Sequence, residues 1–259
     1  MGNSVMPLKK IDLNCDMGEG FGHWLIGDGD DDHILNYISS ANIAAGFHAG
    51  DPDIMNRIVA AAVQHNVGIG VHPGFQDLRG FGRRHIQAET ASLVNDVIYQ
   101  MGALEVFARL YQVPLAHIKL HGALFMHAAR DHEFAQLVLE RIHALYPDVP
   151  FYCLCGSASY QAACMIGHPV VREFYADRAY DASGLIVFSR NSPEWDVDYM
   201  TQRVLRACME GKVRTVEGLE LDVSFDSICF HSDTHGALAV AKSLRDTLTR
   251  HDIQIARRN

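Results

Sequence analysis

The feature that most constrains this chain is the order in which strand-like and helix-like segments follow one another. Short runs of β character fall over 10–14, 42–47, 67–72, 115–120, 151–155, 170–174 and 227–230, with helix-period segments over 52–65, 89–111, 132–145, 159–166, 196–210 and 237–249. Cap chemistry supports two of the helix starts: Asp51 before Pro52, and Ser192 before Pro193 with Glu194 in the first turn. Strand followed by helix, repeated, requires parallel strands joined by crossover helices, either as a closed barrel or as a doubly wound open sheet.

The position of the ionisable residues separates these two architectures. Strand ends carry Asp12 and Asp16; His48 and Asp51; His72; Lys119 and His121; Glu173, Asp177 and Arg178; His231 and Asp233. Only the fifth strand, running into Cys155-Gly156-Ser157, has no such group. An open sheet gathers its ligands at one crevice, whereas a barrel gathers them from the carboxyl ends of many strands around one axis. The expected fold class is therefore α/β, a seven-stranded (β/α) TIM-like barrel. No linker, low-complexity tract or composition break interrupts it, so one domain is expected over 1–259.

Composition narrows the partners. The chain has 259 residues, 48% hydrophobic and 20% charged, the balance of a soluble globular protein. Its formal net charge of −9 repels nucleic acid and anionic membranes, so neither is expected as a partner. The longest apolar runs, such as 58–63 and 185–188, fall far below the roughly 18 residues of a membrane span. Residues 1–10 lack an apolar signal region, which predicts a cytoplasmic start. The six cysteines show no C-x-x-C pair and are expected to be mostly reduced core residues, with Cys153 and Cys155 on one face of a strand. The acidic stretch 28–32 has His33 where a calcium loop needs glycine, and reads as a solvated loop.

Several constellations point to chemistry. A period of two places Asp12, Asn14 and Asp16 on one strand face, two carboxylates and an amide pointing together. Such a face needs a cation or metal to keep both carboxylates ionised. His117, Lys119 and His121 are likewise in phase; a lysine there either stabilises a developing oxyanion, with His121 shuttling protons, or pairs with Asp12 or Asp16. His48, His72 and His231 each precede an Asp by five residues or fewer, namely Asp51, Asp77 and Asp233. Imidazole beside carboxylate serves metal ligation or general base catalysis, although Asp51 also reads as a helix cap. The glycine-rich segment 70–84 carries Arg83 and Arg84, and a flexible arginine loop over an acidic site suits capture of an anionic small molecule. A P-loop, a nucleophile elbow and an H-E-x-x-H motif are all missing.

The segments 12–19 (DLNCDMGE), 40–51 (SANIAAGFHAGD), 80–84 (GFGRR), 119–124 (KLHGAL) and 173–180 (EFYADRAY) resemble the LamB/YcsF family from about residue 10 to the C-terminus. The resemblance implies a seven-stranded barrel related to the glycoside hydrolase/deacetylase superfamily. It also implies ATP-driven opening of 5-oxoproline to glutamate, with ATP bound on the partner 5-oxoprolinase subunits B and C, which suits the missing P-loop. The chain departs from the family pattern at Ala45, where Cys is usual; Leu120, where Pro is usual; Phe125 and Met126, where Tyr-Asn is usual; Ser232, where Gly is usual; and His235, where Pro is usual.

The first reading is amide hydrolysis of a small cyclic substrate. Asp16, His48 or His72 would activate water, Lys119 with His121 would stabilise the oxyanion, and Arg83, Arg84 or Arg178 would hold a substrate carboxylate. Asp12, Asn14, Glu19, Glu173, His231 and Asp233 complete the expected substrate-binding set. The second is a metal-dependent deacetylase or amidohydrolase acting on another N-acyl or lactam substrate, with a divalent metal on Asp16, His48 and His72 and water as fourth ligand. The third is a non-catalytic protein that only binds an acidic metabolite. A homo-oligomer is compatible with all three.

Overall fold

Residues 11–17 are all buried, which a strand achieves only when both of its faces are covered. Ile11, Leu13, Cys15 and Met17 join the apolar layer under the helices, while Asp12, Asn14 and Asp16 face inward. In the computed structural model, which describes residues 8–187, 196–233 and 235–258, this strand (β1, Lys10–Met17) lies between two parallel neighbours. On one side it pairs with β2 (Ser40–Ala44), which continues through β3 (Gly68–His72), β4 (His117–Ile118), β5 (Phe151–Cys153) and β6 (Val170–Tyr175) to β7 (Ser227–His231). On the other side β1 pairs with β7 directly, so the sheet closes into the expected seven-stranded parallel barrel. Gln254–Ile255 adds one short parallel stretch beside Lys10 and Ile11.

Helices α1 (Pro52–Gln64), α2 (Thr90–Leu110), α3 (Gly122–Arg130), α4 (His132–Leu145), α5 (Ala158–Ile166), α6 (Val197–Glu210) and α7 (Ala237–Arg250) surround the barrel. Asp51 caps α1 as expected, accepting from the N–H groups of Asp53 and Ile54, both at 2.9 Å. The expected cap at Ser192 lies outside the described residues; α6 is instead capped by Asp196. Helix α3 is absent from the sequence pattern. Ala123, Leu124, Phe125, Met126, Ala128 and Ala129 are all buried in it, and the narrow polar stripe left at His127 and Arg130 is too short to establish a period. None of the described helices is long and apolar enough to cross a membrane.

Strand limits differ from the sequence pattern for local reasons. β4 keeps only two ladder residues because Pro73, opposite it, has no N–H to offer. The chain nevertheless stays extended, since Lys119 and His121 donate backbone N–H groups to the carbonyls of Val71 (3.0 Å) and Pro73 (2.8 Å). β5 ends at Cys153, so Cys155 turns outward and is exposed; the two thiols do not share a face. The acidic stretch is not simply a solvated loop. Asp31 is half-buried, accepts the Gly18 N–H at 2.7 Å, and has its carboxyl pushed up by burial to about 6; Asp28 binds His235 and the Gly236 N–H.

Barrels of this kind are commonly filled by aliphatic layers, but this interior is polar. Asp12 accepts from Ser39, Ser40, Tyr152 and Ser227 at 2.5–3.0 Å. His117 lies 2.6 Å from the Asn42 Oδ1 and stacks on Tyr152. Gly70 makes room for that ring, because a Cβ there would sit 2.0 Å from the His117 Nε2. Gly70→Ala is therefore expected to destabilise the protein by about 1–3 kcal/mol in urea unfolding through overpacking; an unchanged midpoint would contradict the account. Burial, followed by the Lys119 charge, pushes the His117 imidazole down to about 3. The unfolded chain takes up this proton near pH 6.5, roughly the ordinary histidine value. Between the two values the unfolded state binds more protons, so stability falls as pH falls. The unfolding free energy should drop by roughly 1 kcal/mol or more between pH 7 and 5, with a smaller drop in His117→Asn; equal drops in the two proteins would refute this assignment.

Candidate functional site

At the carboxyl end of the barrel Asn14 and Asp16, two of the three in-phase polar residues of β1, meet the chain following β4. The Lys119 Nζ lies 3.0 Å from the Asp16 Oδ1, 3.3 Å from the Asn14 Oδ1, 2.9 Å from the Cys229 Sγ and 3.3 Å from the Glu173 Oε1. Only 1% of Lys119 is exposed. Burial alone would push its ammonium down, but Asp16 foremost, with Glu173 among the others, outweighs this and holds it well above the ordinary lysine range. Asp16 shows the reverse balance: burial would raise its carboxyl, and His72, Lys119 and His231 hold it well below the usual range. Lys119 thus pairs with Asp16, one of its two expected partners, and not with Asp12. Asp12 lies deeper in the barrel, within the hydroxyl network described above.

A second ion cluster closes the mouth. His231 Nδ1 lies 2.8 Å from Asp177, which also accepts the His231 backbone N–H at 3.1 Å, leaving Nε2 3.4 Å from the Asp16 Oδ2. Burial would raise Asp177, yet Arg178 and His231 keep it ionised well below the usual range. Arg178 pairs with Asp177 at 3.0 Å and lies 4.0 Å from Asp233, which also takes a 2.6 Å bond from Arg83. Glu173 binds Asn14, Lys119 and the Tyr175 hydroxyl; burial nevertheless raises its carboxyl, with Lys119 offsetting this only in part.

The third group is Glu19, His48, His72 and His121, all buried. His48 and His121 stack with centroids 3.7 Å apart and planes 3° from parallel. Burial foremost pushes the His48 imidazole down to about 3, which keeps it neutral. The glycine-rich segment beside them is tightly held, and its glycines serve close approach, not flexibility. A Cβ at Gly82 would meet His121 and His48 at 2.7 Å, and one at Gly74 would meet the His48 Nδ1 at 2.6 Å. Arg84 forms a fork on Asp77 that fixes this segment, so the structure places it in loop support and outside the cavity lining.

The histidines do not use the aspartates that follow them in sequence. Asp51 caps α1 and accepts the Gly22 N–H; Asp77 binds Arg84; Asp233 binds Arg83. Their places are taken across the barrel: Asp16 beside His72 at 3.0 Å, Asp177 beside His231, and Glu19 beside His48 at 3.4 Å. Of the expected metal triad, His48 and His72 group with Glu19 and His121, while Asp16 lies 3.0 Å from His72 and groups with Cys229 and His231. Sequence reasoning left out Tyr175 and gave Asp177 no site role, although the period of two from Glu173 places 173, 175 and 177 in phase.

These groups line a small cavity of about 30 Å³ walled by Asp16, His72, Arg83, Lys119, Arg178 and His231, among others. At roughly 10–15 Å³ of such volume per water, it holds about two waters. The arrangement offers a fixed imidazole–carboxylate dyad, a buried ammonium and two guanidinium groups around one small, polar space.

Comparison with known proteins shows the family. The chain is 56% identical over 248 residues to a Pseudomonas aeruginosa protein named as a 5-oxoprolinase A-type subunit, covering 96% of this chain and 98% of that one. It is 42% identical over 250 residues to the corresponding 5-oxoprolinase protein of Natranaerobius thermophilus, covering 96% of each. Among solved structures, the lactam utilization protein from Thermus thermophilus superposes with a TM-score of 0.87 at 37% identity, covering 95% of this chain and 99% of that one. The model of the LamB/YcsF family matches residues 11–259, and the chain belongs to that family.

Proposed function

We propose that this protein is the A-type component of an ATP-dependent 5-oxoprolinase and hydrolyses the lactam of 5-oxoproline to L-glutamate. The observation that carries the reading is the closed cavity at the barrel mouth, where the His231–Asp177 dyad, the Lys119 ammonium and the Arg83 and Arg178 guanidinium groups face one small space. That this arrangement occurs in a chain 56% identical to a protein named for 5-oxoprolinase selects the substrate.

Arg178 and Arg83 share Asp233 in this closed form, so an incoming carboxylate has a ready-made pair of cations once Asp233 withdraws. Asp177 holds the His231 Nδ1–H and leaves Nε2 facing the cavity, placed to take a proton from water as it adds to the lactam carbonyl. The ring C–N bond breaks, its nitrogen gains a proton, and the product carries a new carboxylate and a free amine. Lys119 holds Asp16 ionised and keeps positive potential beside the developing oxyanion. A lactam is a stable amide, so coupling to ATP is assigned to partner subunits B and C: transfer of the γ-phosphoryl group to the lactam oxygen releases ADP, addition of one water breaks the ring C–N bond and leaves an acyl phosphate, and a second water releases inorganic phosphate and the carboxylate. The polar mouth and net charge of −9 suit a cytoplasmic enzyme for a small metabolite.

Glutamate release from 5-oxoproline and ATP should require this chain mixed with subunits B and C. In that mixture His231→Asn should lower kcat by about 100-fold or more with little change in KM, while Arg178→Gln should act mainly on KM. No glutamate from the complete mixture of folded subunits would overturn the reading.

A further inference from the structure

The group formed by Glu19, His48, His72 and His121 is short of protons and of cations. His72 Nδ1 lies 2.8 Å from the Lys119 carbonyl, and His121 Nε2 lies 2.8 Å from the Phe81 carbonyl. Carbonyl oxygens only accept, so those nitrogens carry the protons. The other two nitrogens, His72 Nε2 and His121 Nδ1, face each other at 3.0 Å, and the His72 Nε2 also lies 3.0 Å from the Asp16 Oδ2. Beside them, both oxygens of Glu19 and both ring nitrogens of His48 are buried without a hydrogen-bond partner. Among the described residues, no lysine or arginine nitrogen lies within ion-pair distance of Glu19. The neighbouring Asp16–Cys229–His231 group differs, because the Lys119 ammonium already sits 3.0 Å from Asp16 and 2.9 Å from Cys229.

The four groups approach the spacing of a coordination shell. Four ligands held tetrahedrally at about 2.0–2.1 Å from zinc stand roughly 3.3–3.4 Å from one another. Here the His121 Nδ1 is 3.3 Å and the His48 Nε2 3.4 Å from the same Glu19 oxygen, His72 to His121 is 3.0 Å, and all four ligand atoms lie within 4.8 Å of one another; the His48 and His121 rings are parallel and 3.7 Å apart, so one of them turns to bring its lone pair onto the ion. Three imidazoles and one carboxylate are borderline ligands suited to zinc-class transition metals and not to calcium or magnesium. The backbone carbonyls on His72 and His121 supply the outer hydrogen bonds that commonly orient metal-binding imidazoles.

We propose that Glu19, His48, His72 and His121 bind one zinc-class divalent cation beside the lactam cavity. The site stands independently of the substrate proposed above.

The test uses the full chain, stripped with a chelator and titrated with Co²⁺ and then Zn²⁺, with metal content measured by mass spectrometry. One equivalent of Co²⁺ should bind with a visible d–d spectrum lacking a thiolate charge-transfer band, and Zn²⁺ should displace it. Glu19→Gln and His48→Ala, each checked for native circular dichroism, should weaken binding about 100-fold or more, whereas Cys229→Ser should not. The near-isosteric Glu19→Gln keeps the test decisive should His48→Ala fail to fold. No uptake by folded wild-type protein, uptake unaffected by Glu19→Gln, or a thiolate band lost in Cys229→Ser would each overturn the proposal.

Discussion

A lysine ammonium on the axis of the barrel is the interaction on which the rest of this site depends. Lys119 is buried with Asp16, Glu173, Asn14 and Cys229 around its nitrogen. Removing a charge from water costs several kcal/mol or more, so the arrangement survives only while every partner stays in place. The order of polar side chains inside the barrel follows from this. Asp16 must remain ionised to hold Lys119, Asn42 donates to the other side of the same carboxylate oxygen at 2.7 Å, and Asn42 in turn positions His117. The ion pair thus connects β1, β2, β4 and β7 through groups that would each be costly to bury alone.

Such a polar interior trades packing energy for positional definition. Apolar packing is confined to the layer between barrel and helices, where Leu13, Met17, Ile43 and Ile228 are fully buried. Inside, stacked rings and close glycine contacts take over: His117 on Tyr152 over Gly70, and His48 on His121 against Gly74 and Gly82. Both arginines that line the cavity lie beside Asp233, Arg83 at 2.6 Å and Arg178 at 4.0 Å, so their charges are partly balanced within the protein.

Much of this was legible in the sequence, and the rest was hidden for identifiable reasons. The strand–helix order and the ionisable residues at strand ends led to a closed parallel barrel with a site at its carboxyl end, and in-phase spacing brought Asp16, Lys119 and His121 to that site. Partner choice was not legible, because it depends on the register between strands distant in sequence. His231 meets Asp16 because β1 lies beside β7 with those two residues opposite each other, it meets Asp177 because the chain leaving β6 runs beside β7, and His72 reaches Asp16 from β3 across β2. Aspartates a few residues downstream of each histidine offered a local alternative that the fold spends on a helix cap and on two arginines. Helix α3 escaped detection because a short helix with most of its residues buried shows too little of the 3.6-residue period.

The central claim, that Lys119 and Asp16 act as one buried unit, is tested most directly by a double-mutant cycle in urea unfolding. Lys119→Met leaves Asp16 and Glu173 without their shared ammonium, Asp16→Asn leaves Lys119 with Glu173 alone, and each should cost about 3–5 kcal/mol. The double variant should be less destabilised than the sum of the two, by about 1–3 kcal/mol of coupling. Additive losses, with no coupling between the two positions, would contradict the account.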